Sequence, residues 1–133
     1  MSELEIKVSA IEGRLPVTVL HLNGHLHGDT EHLLTDHARQ SLESGARYLL
    51  LDLSNVQVLT SAGLRAIQII FNLYTPQEDK SIIREHGGEP YKSPYVKLVC
   101  PNPHIYYVLN IAGFLQNILI FNDMDEALNS FTG

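Results

Sequence analysis

A few side chains in this sequence are of types that could do chemistry: Ser61 behind Thr60, the histidines His21, His25 and His27, Asp52, and the lone Cys100. A serine hydrolase needs a nucleophile, a base and an orienting acid, and Ser61, a histidine and Asp52 supply those types. No Gly-x-Ser-x-Gly elbow surrounds Ser61, however, so hydrolysis is discounted. Ser61 can instead be a helix cap, worth about 1 kcal/mol, or a site of modification. His25 and His27 are two apart, and on a strand they point the same way, as a pair of Zn²⁺ ligands would. His21 joins them only if the strand runs on through Gly24. With no cysteine or carboxylate at ligand spacing, ordinary exposed histidines are expected and no metal or other cofactor is predicted.

Asp52 closes an apolar run and is expected to bond the turn that follows, as Asp does. Cys100 reads as a small buried side chain with no role. His104, Tyr106 and Tyr107 follow Pro101-Asn102-Pro103 at a helix start. They could line a pocket, but packing of that helix onto a sheet accounts for them more simply.

The elements that must position these residues follow from periodicity. Alternation over residues 3–9 predicts an edge strand, and residues 17–22, opened by Pro16 and closed by Asn23-Gly24, predict a second strand pairing with it. Asp29 or Thr30 can cap a helix over residues 31–44 that Gly45 terminates. The continuous apolar run 48–53 predicts the middle strand, followed by a short extended stretch at 56–59. Residues 61–74 form the clearest helix, stopped by Thr75-Pro76. A strand (96–99), a helix (104–112), a strand (118–120) and a last helix (124–131) complete an α/β chain. The order implies a four- or five-stranded mixed sheet against about four α-helices, with right-handed crossovers between parallel strands. Residues 75–94, about 20 positions rich in Pro, Gly and charge, exceed an ordinary connection. They are either a functional loop or contain a helical turn at 80–85.

The chain has 133 residues, 44% of them hydrophobic, enough for one domain over residues 1–133 without disulfide or metal staples. The single cysteine, the absence of a secretory pattern at the start and the lack of an apolar run of about 18 residues predict a cytoplasmic protein with no membrane span. A net charge of −6 with no basic cluster argues against direct nucleic-acid binding. A homo-oligomer is compatible with the composition.

On a helical wheel, Gly63, Ala66, Ile67, Ile70, Leu73 and Tyr74 share the core face of helix 61–74. Ser61, Arg65, Gln68 and Asn72 form the opposite stripe, bordered by Ala62 and Ile69 on one side and Leu64 and Phe71 on the other. A polar ridge flanked by apolar side chains suits protein binding.

The segment Leu51-Asp52-Leu53-Ser54-Asn55-Val56, followed by Leu59-Thr60-Ser61-Ala62-Gly63-Leu64-Arg65, closely resembles the signature of STAS domains in bacterial anti-sigma factor antagonists. The similarity extends through Asn23-Gly24-His25-Leu26, Ile111-Ala112-Gly113-Phe114 and Asp125-Glu126-Ala127-Leu128, and only residues 75–94 look inserted. The resemblance implies a binding module without chemistry of its own. Its partner would be an anti-sigma factor with serine kinase activity, which phosphorylates the residue matching Ser61. The implied partner surface comprises Thr60, Ser61, Ala62, Gly63, Leu64, Arg65, Gln68, Ile69 and Asn72, with His25 and His27 beside it. The sequence departs from the family at Thr60, where many phospho-switched members carry an acid, and at Gly24-His25-Leu26-His27, where a Gly-Glu-Leu-Asp-like turn is usual. A second implied reading is a STAS scaffold that is not phosphorylated and binds constitutively in a stress-sensing or transporter-associated complex.

Overall fold

A computed structural model describes residues 3–85, 91–113 and 116–131. Residues 86–90 of the long connection, and Phe114 of the family landmark, lie outside the described residues. Strands β1 (Leu4–Glu12) and β2 (Pro16–Leu26) are followed by α1 (Glu31–Glu43), β3 (Tyr48–Leu59) and α2 (Ser61–Tyr74). Then come α3 (Gln77–Glu85), β4 (Val96–Val99), α4 (Pro103–Ile111), β5 (Ile120–Phe121) and α5 (Met124–Asn129). The strands form one five-stranded sheet in chain order. β1 pairs with β2 antiparallel, and every later neighbour is parallel.

Alternation along the strands divides the core in two. Leu20 and Leu22 of β2, with Leu49, Leu51 and Leu53 of β3, face α1, α2 and α4 and are essentially fully buried. Val17, Val19 and Leu50 point the other way, where Ala127 of α5 and Phe131 cover them. Lys97 of β4 ties that second layer down: its buried ammonium donates to Ser130 Oγ and Ser130 O, both at 3.0 Å.

The strands run further than periodicity indicated. β2 continues through Gly24, and β3 is one strand where two separate extended stretches were expected. The reason is a pair of register shifts in β2–β3 pairing, between His21 and Asn23 and between Gly24 and His25. At each, β3 carries one more residue than β2, so its burial pattern loses the two-residue period after Leu53. The long connection also differs from a bare loop. It contains α3, a fifth helix that takes in and extends the helical turn anticipated at 80–85.

The start of α2 is held against the end of β2. Thr60 N–H donates to Leu26 O at 3.1 Å, and a Cβ on Gly63 would lie 2.7 Å from Leu59 Cδ1, 2.8 Å from Leu26 Cγ and 2.9 Å from Leu26 O. Only a residue without a side chain permits this approach. Alanine here gains about 1 kcal/mol of helix propensity but overpacks by about 1–3 kcal/mol, toward the upper end because one neighbour is backbone. Gly63→Ala should therefore destabilise the fold by roughly 1–2 kcal/mol, measured as a lower urea midpoint at unchanged m. An unchanged midpoint would show that the contact is not tight.

Candidate functional site

Helix α2 begins at the residues whose chemistry was singled out. Thr60 occupies the N-cap with extended backbone (φ −105°, ψ 178°), yet its side chain makes no cap bond. Thr60 Oγ1 is buried without a hydrogen-bond partner. Ser61 is the first helical residue, not the cap, and is exposed; its hydroxyl has no partner among the described residues. The first N–H to bond within this turn is that of Leu64, to Thr60 O at 3.0 Å, so the donors of Ser61, Ala62 and Gly63 precede the helical ladder. A capping role for Ser61 is thus removed by geometry, and its hydroxyl stands beside free donors at the positive end of the helix.

The two faces of α2 fall as the wheel predicts. Ser61, Arg65, Gln68 and Asn72 are exposed, and Ala62, Leu64 and Ile69 are half-buried along the ridge. Gly63, Ala66, Ile67 and Ile70 face the core. Phe71 departs from the expectation: it is buried, not a border residue, because Tyr91 covers it edge-on with ring centroids 6.2 Å apart. Tyr91 belongs to the long connection and is itself tied to α3 by donation to Asp79 Oδ2 at 2.5 Å. Arg65 is 64% exposed and reaches Glu31 of α1 at 3.9 Å, a loose surface pair.

Beside this helix start lies the turn after β2. His27 Nε2 donates to Glu3 Oε2 at 2.6 Å, and His25 Nδ1 is 3.9 Å from the same oxygen. The hydrogen bond from His27 holds the Glu3 carboxyl below its usual range. Thr30, at the N-cap of α1, does not cap it. Its buried hydroxyl turns back to donate to His25 O (2.7 Å) and to accept from His27 N–H (3.1 Å), closing the turn. The expectation that no carboxylate stands near these histidines is corrected: Glu3 arrives from the far side of the β1–β2 hairpin. The hairpin register that pairs Leu4 with Gly24 carries the signal, since it sets residue 3 beside residue 25.

Similarity to known proteins agrees with this arrangement. A family model for the STAS domain matches residues 9–93. The chain belongs to the STAS domain family. A comparison with curated proteins finds no match. Among solved structures, an anti-sigma factor antagonist from Mycobacterium paratuberculosis superposes with a TM-score of 0.76 at 17% identity, covering 96% of this chain and 93% of that one. The phosphorylated form of the Bacillus cell fate determinant SpoIIAA superposes with a TM-score of 0.61 at 12% identity, covering 94% and 97%. Its unphosphorylated form gives the same score at 11% identity, covering 94% of each chain. At these identities the likeness establishes the fold. Among the described residues no helix is long and apolar enough to cross a membrane.

The remaining candidates in this STAS domain are structural. Cys100 is buried, and burial pushes its thiol up although the Asn102 backbone pulls the other way. Ile105 and Leu109 anchor α4 in the core while His104 and Tyr107 stay exposed. His21 does not join His25 and His27. Its Nδ1–H donates to Asp52 Oδ2 at 2.9 Å, and its Nε2 accepts from Ser9 Oγ at 3.1 Å. Asp52 Oδ1 accepts from Ser54 N–H (3.0 Å) and Ser54 Oγ (2.6 Å), the expected bond to the next residues, made at a bulge inside β3 and not in a turn. The order Ser–His–Asp is that of a hydrolase relay, but its serine is Ser9, in the middle of an edge strand and not on a sharp strand-to-helix turn. Ser61 takes no part in it.

Burial raises the Asp52 carboxyl, but the hydrogen bonds from Ser54 and His21 outweigh that and hold it below the usual range. A carboxyl lowered on folding contributes stability that is present above its unfolded value of about 3.9 and is lost as pH falls through the folded value. Stability measured from about pH 6 down to about pH 2 should therefore drop more steeply in the wild type than in Asp52→Asn, so that the gap between them narrows with acid. Parallel curves would show that the relay does not hold the carboxylate charged.

Proposed function

We propose that residues 1–133 act as one cytoplasmic domain, an anti-sigma factor antagonist. Its α2 surface binds an anti-sigma factor with serine kinase activity, and phosphorylation of Ser61 switches that binding off. The observation that carries the reading is Ser61 itself: exposed, first in the helix, its hydroxyl unengaged, at the head of a polar ridge edged by half-buried Ala62, Leu64 and Ile69. Membership of the STAS family and the likeness to antagonist structures, one of them a phosphorylated form, support it.

The switch follows from local physics. A phosphate on Ser61 adds close to two negative charges and three acceptor oxygens. Inside the domain these meet the free N–H groups of the first turn and the positive end of the helix dipole, so the fold accepts them. Arg65, one turn on and only loosely paired with Glu31, is free to move toward the phosphate. Against a partner the same group is bulky, charged and costly to desolvate. The penalty falls on the complex, and the domain contributes binding energy without a reaction of its own.

Incubation of the purified protein with ATP and its host's soluble extract should add one phosphate, mapped to Ser61 by intact mass and peptide sequencing. The unphosphorylated protein and Ser61→Ala should bind the kinase at least tenfold more tightly than Ser61→Asp, a difference of about 1.4 kcal/mol or more. Equal binding by Ser61→Ala and Ser61→Asp would sink the switch. A partner retained with no phosphate after exhaustive incubation would favour the constitutive scaffold.

A further inference from the structure

The end of β2, the turn after it and the residue before β1 bring together a donor set that the phosphorylation switch does not use. Glu3, His25 and His27 each offer one ligand atom, and these atoms lie within 4.8 Å of one another. We propose that they form a binding site for a divalent ion of borderline softness, Zn²⁺ foremost, with at least one coordination position left open. The donors are nitrogen and carboxylate oxygen without thiolate, the set that suits Zn²⁺ and excludes soft-ion sites. Three protein ligands with a fourth position free is the pattern of zinc sites that take up a further group, in contrast to closed structural sites.

The site is built into the backbone. Gly24 has φ +127°, and a Cβ there would lie 2.1 Å from Glu3 O, so glycine alone lets the Glu3 main chain lie against this strand. His25 N–H donates to Glu3 O at 2.9 Å, and the next residue, Leu4, is 2% exposed and anchors the segment in the core. The hydroxyl of Thr30 fixes the turn that carries His27. Ligands about 2.1 Å from a tetrahedral ion stand about 3.4 Å apart, a spacing that small side-chain rotations from the observed positions reach.

The proton count is simple. In the metal-free protein His27 Nδ1 accepts from Asp29 N–H at 3.2 Å, so the single proton of the neutral ring is on Nε2 and is given to Glu3. Ion binding at Nε2 moves that proton to Nδ1 and gives up the Asp29 bond. Asp29 is exposed, so its N–H passes to water. The site lies close to the start of α2, because His25 and Leu26 pair with Val58 and Leu59, directly before Thr60. The proposal stands on these donors alone and is independent of phosphorylation at Ser61.

Chelator-treated protein titrated with Zn²⁺ by calorimetry at neutral pH tests it. One equivalent should bind with Kd below about 100 μM, and affinity should fall as the solution is made more acid, because the ligands must be deprotonated to hold the ion. Glu3→Gln, His25→Gln and His27→Gln should each weaken binding at least tenfold, while His104→Gln, at the exposed start of α4, should leave it unchanged. Circular dichroism checks the fold of every variant, and the exposed Glu3→Gln keeps the test decisive should a histidine variant unfold. Binding weaker than about 100 μM, or binding that Glu3→Gln leaves unaltered, overturns the site.

Discussion

The seating of α2 on the end of β2 is the contact on which the rest of this STAS domain depends. Leu26, Leu59 and the bare Cα of Gly63 meet at distances that no side chain at position 63 would allow, and Thr60 N–H closes the contact on Leu26 O. Because the helix starts there, Gly63 is turned onto the strand ends and Ser61 is turned outward. Thr60 instead is drawn in, and its hydroxyl is left buried without a partner, a loss on the order of 1–3 kcal/mol for such a group. A fold that leaves a hydroxyl unpaired at this position places geometry of the helix start above local hydrogen bonding. The same contact sets the histidine-bearing turn, which leaves β2 at Leu26, alongside the helix.

The sheet reaches that junction only because β3 is longer than its neighbour at the same register. Two extra residues bend it within the ladder, and at the first bulge Asp52 supplies the acceptor that the displaced Ser54 N–H needs. His21 and Ser9 then extend the bonding across β2 and β1 on the face that α5 leaves partly open. The Asp-Leu-Ser step, conspicuous in the sequence as a motif, is in physical terms a bulge stabiliser. It shapes the strand that leads into Thr60 and Ser61.

What could be read from the sequence was what local periodicity encodes. Helix 61–74 and strand 96–99 appear with the predicted bounds, and the exposed stripe Ser61, Arg65, Gln68 and Asn72 follows from a wheel alone. The continuation of β2 and β3 was hidden because bulges break the two-residue alternation that identifies a strand. Phe71 was misjudged because its cover, Tyr91, comes from a connection with no periodic signal of its own. Glu3 and Ser9 were missed because each meets its histidine across a hairpin, where sequence separation says nothing until the register is known. Ser61 stood out through resemblance; an isolated serine before an apolar helix also reads as a cap, and the structure gives the cap position to Thr60.

Charge around the helix start decides how readily the fold would take up the proposed phosphate on Ser61. The turn after β2 carries imidazoles where the family's usual turn carries acids, and position 60 carries a threonine in place of an acid. Both departures lower the density of negative charge next to Ser61. A phosphate there would meet less like-charge repulsion from the domain itself, and the free amides of the first turn remain available to it. A carboxylate does stand near the histidines, that of Glu3 just before β1, and His27 engages it at 2.6 Å. Under the proposed switch, binding at α2 would rest on apolar flanks and neutral polar groups, and a dianion placed among them would be costly to desolvate.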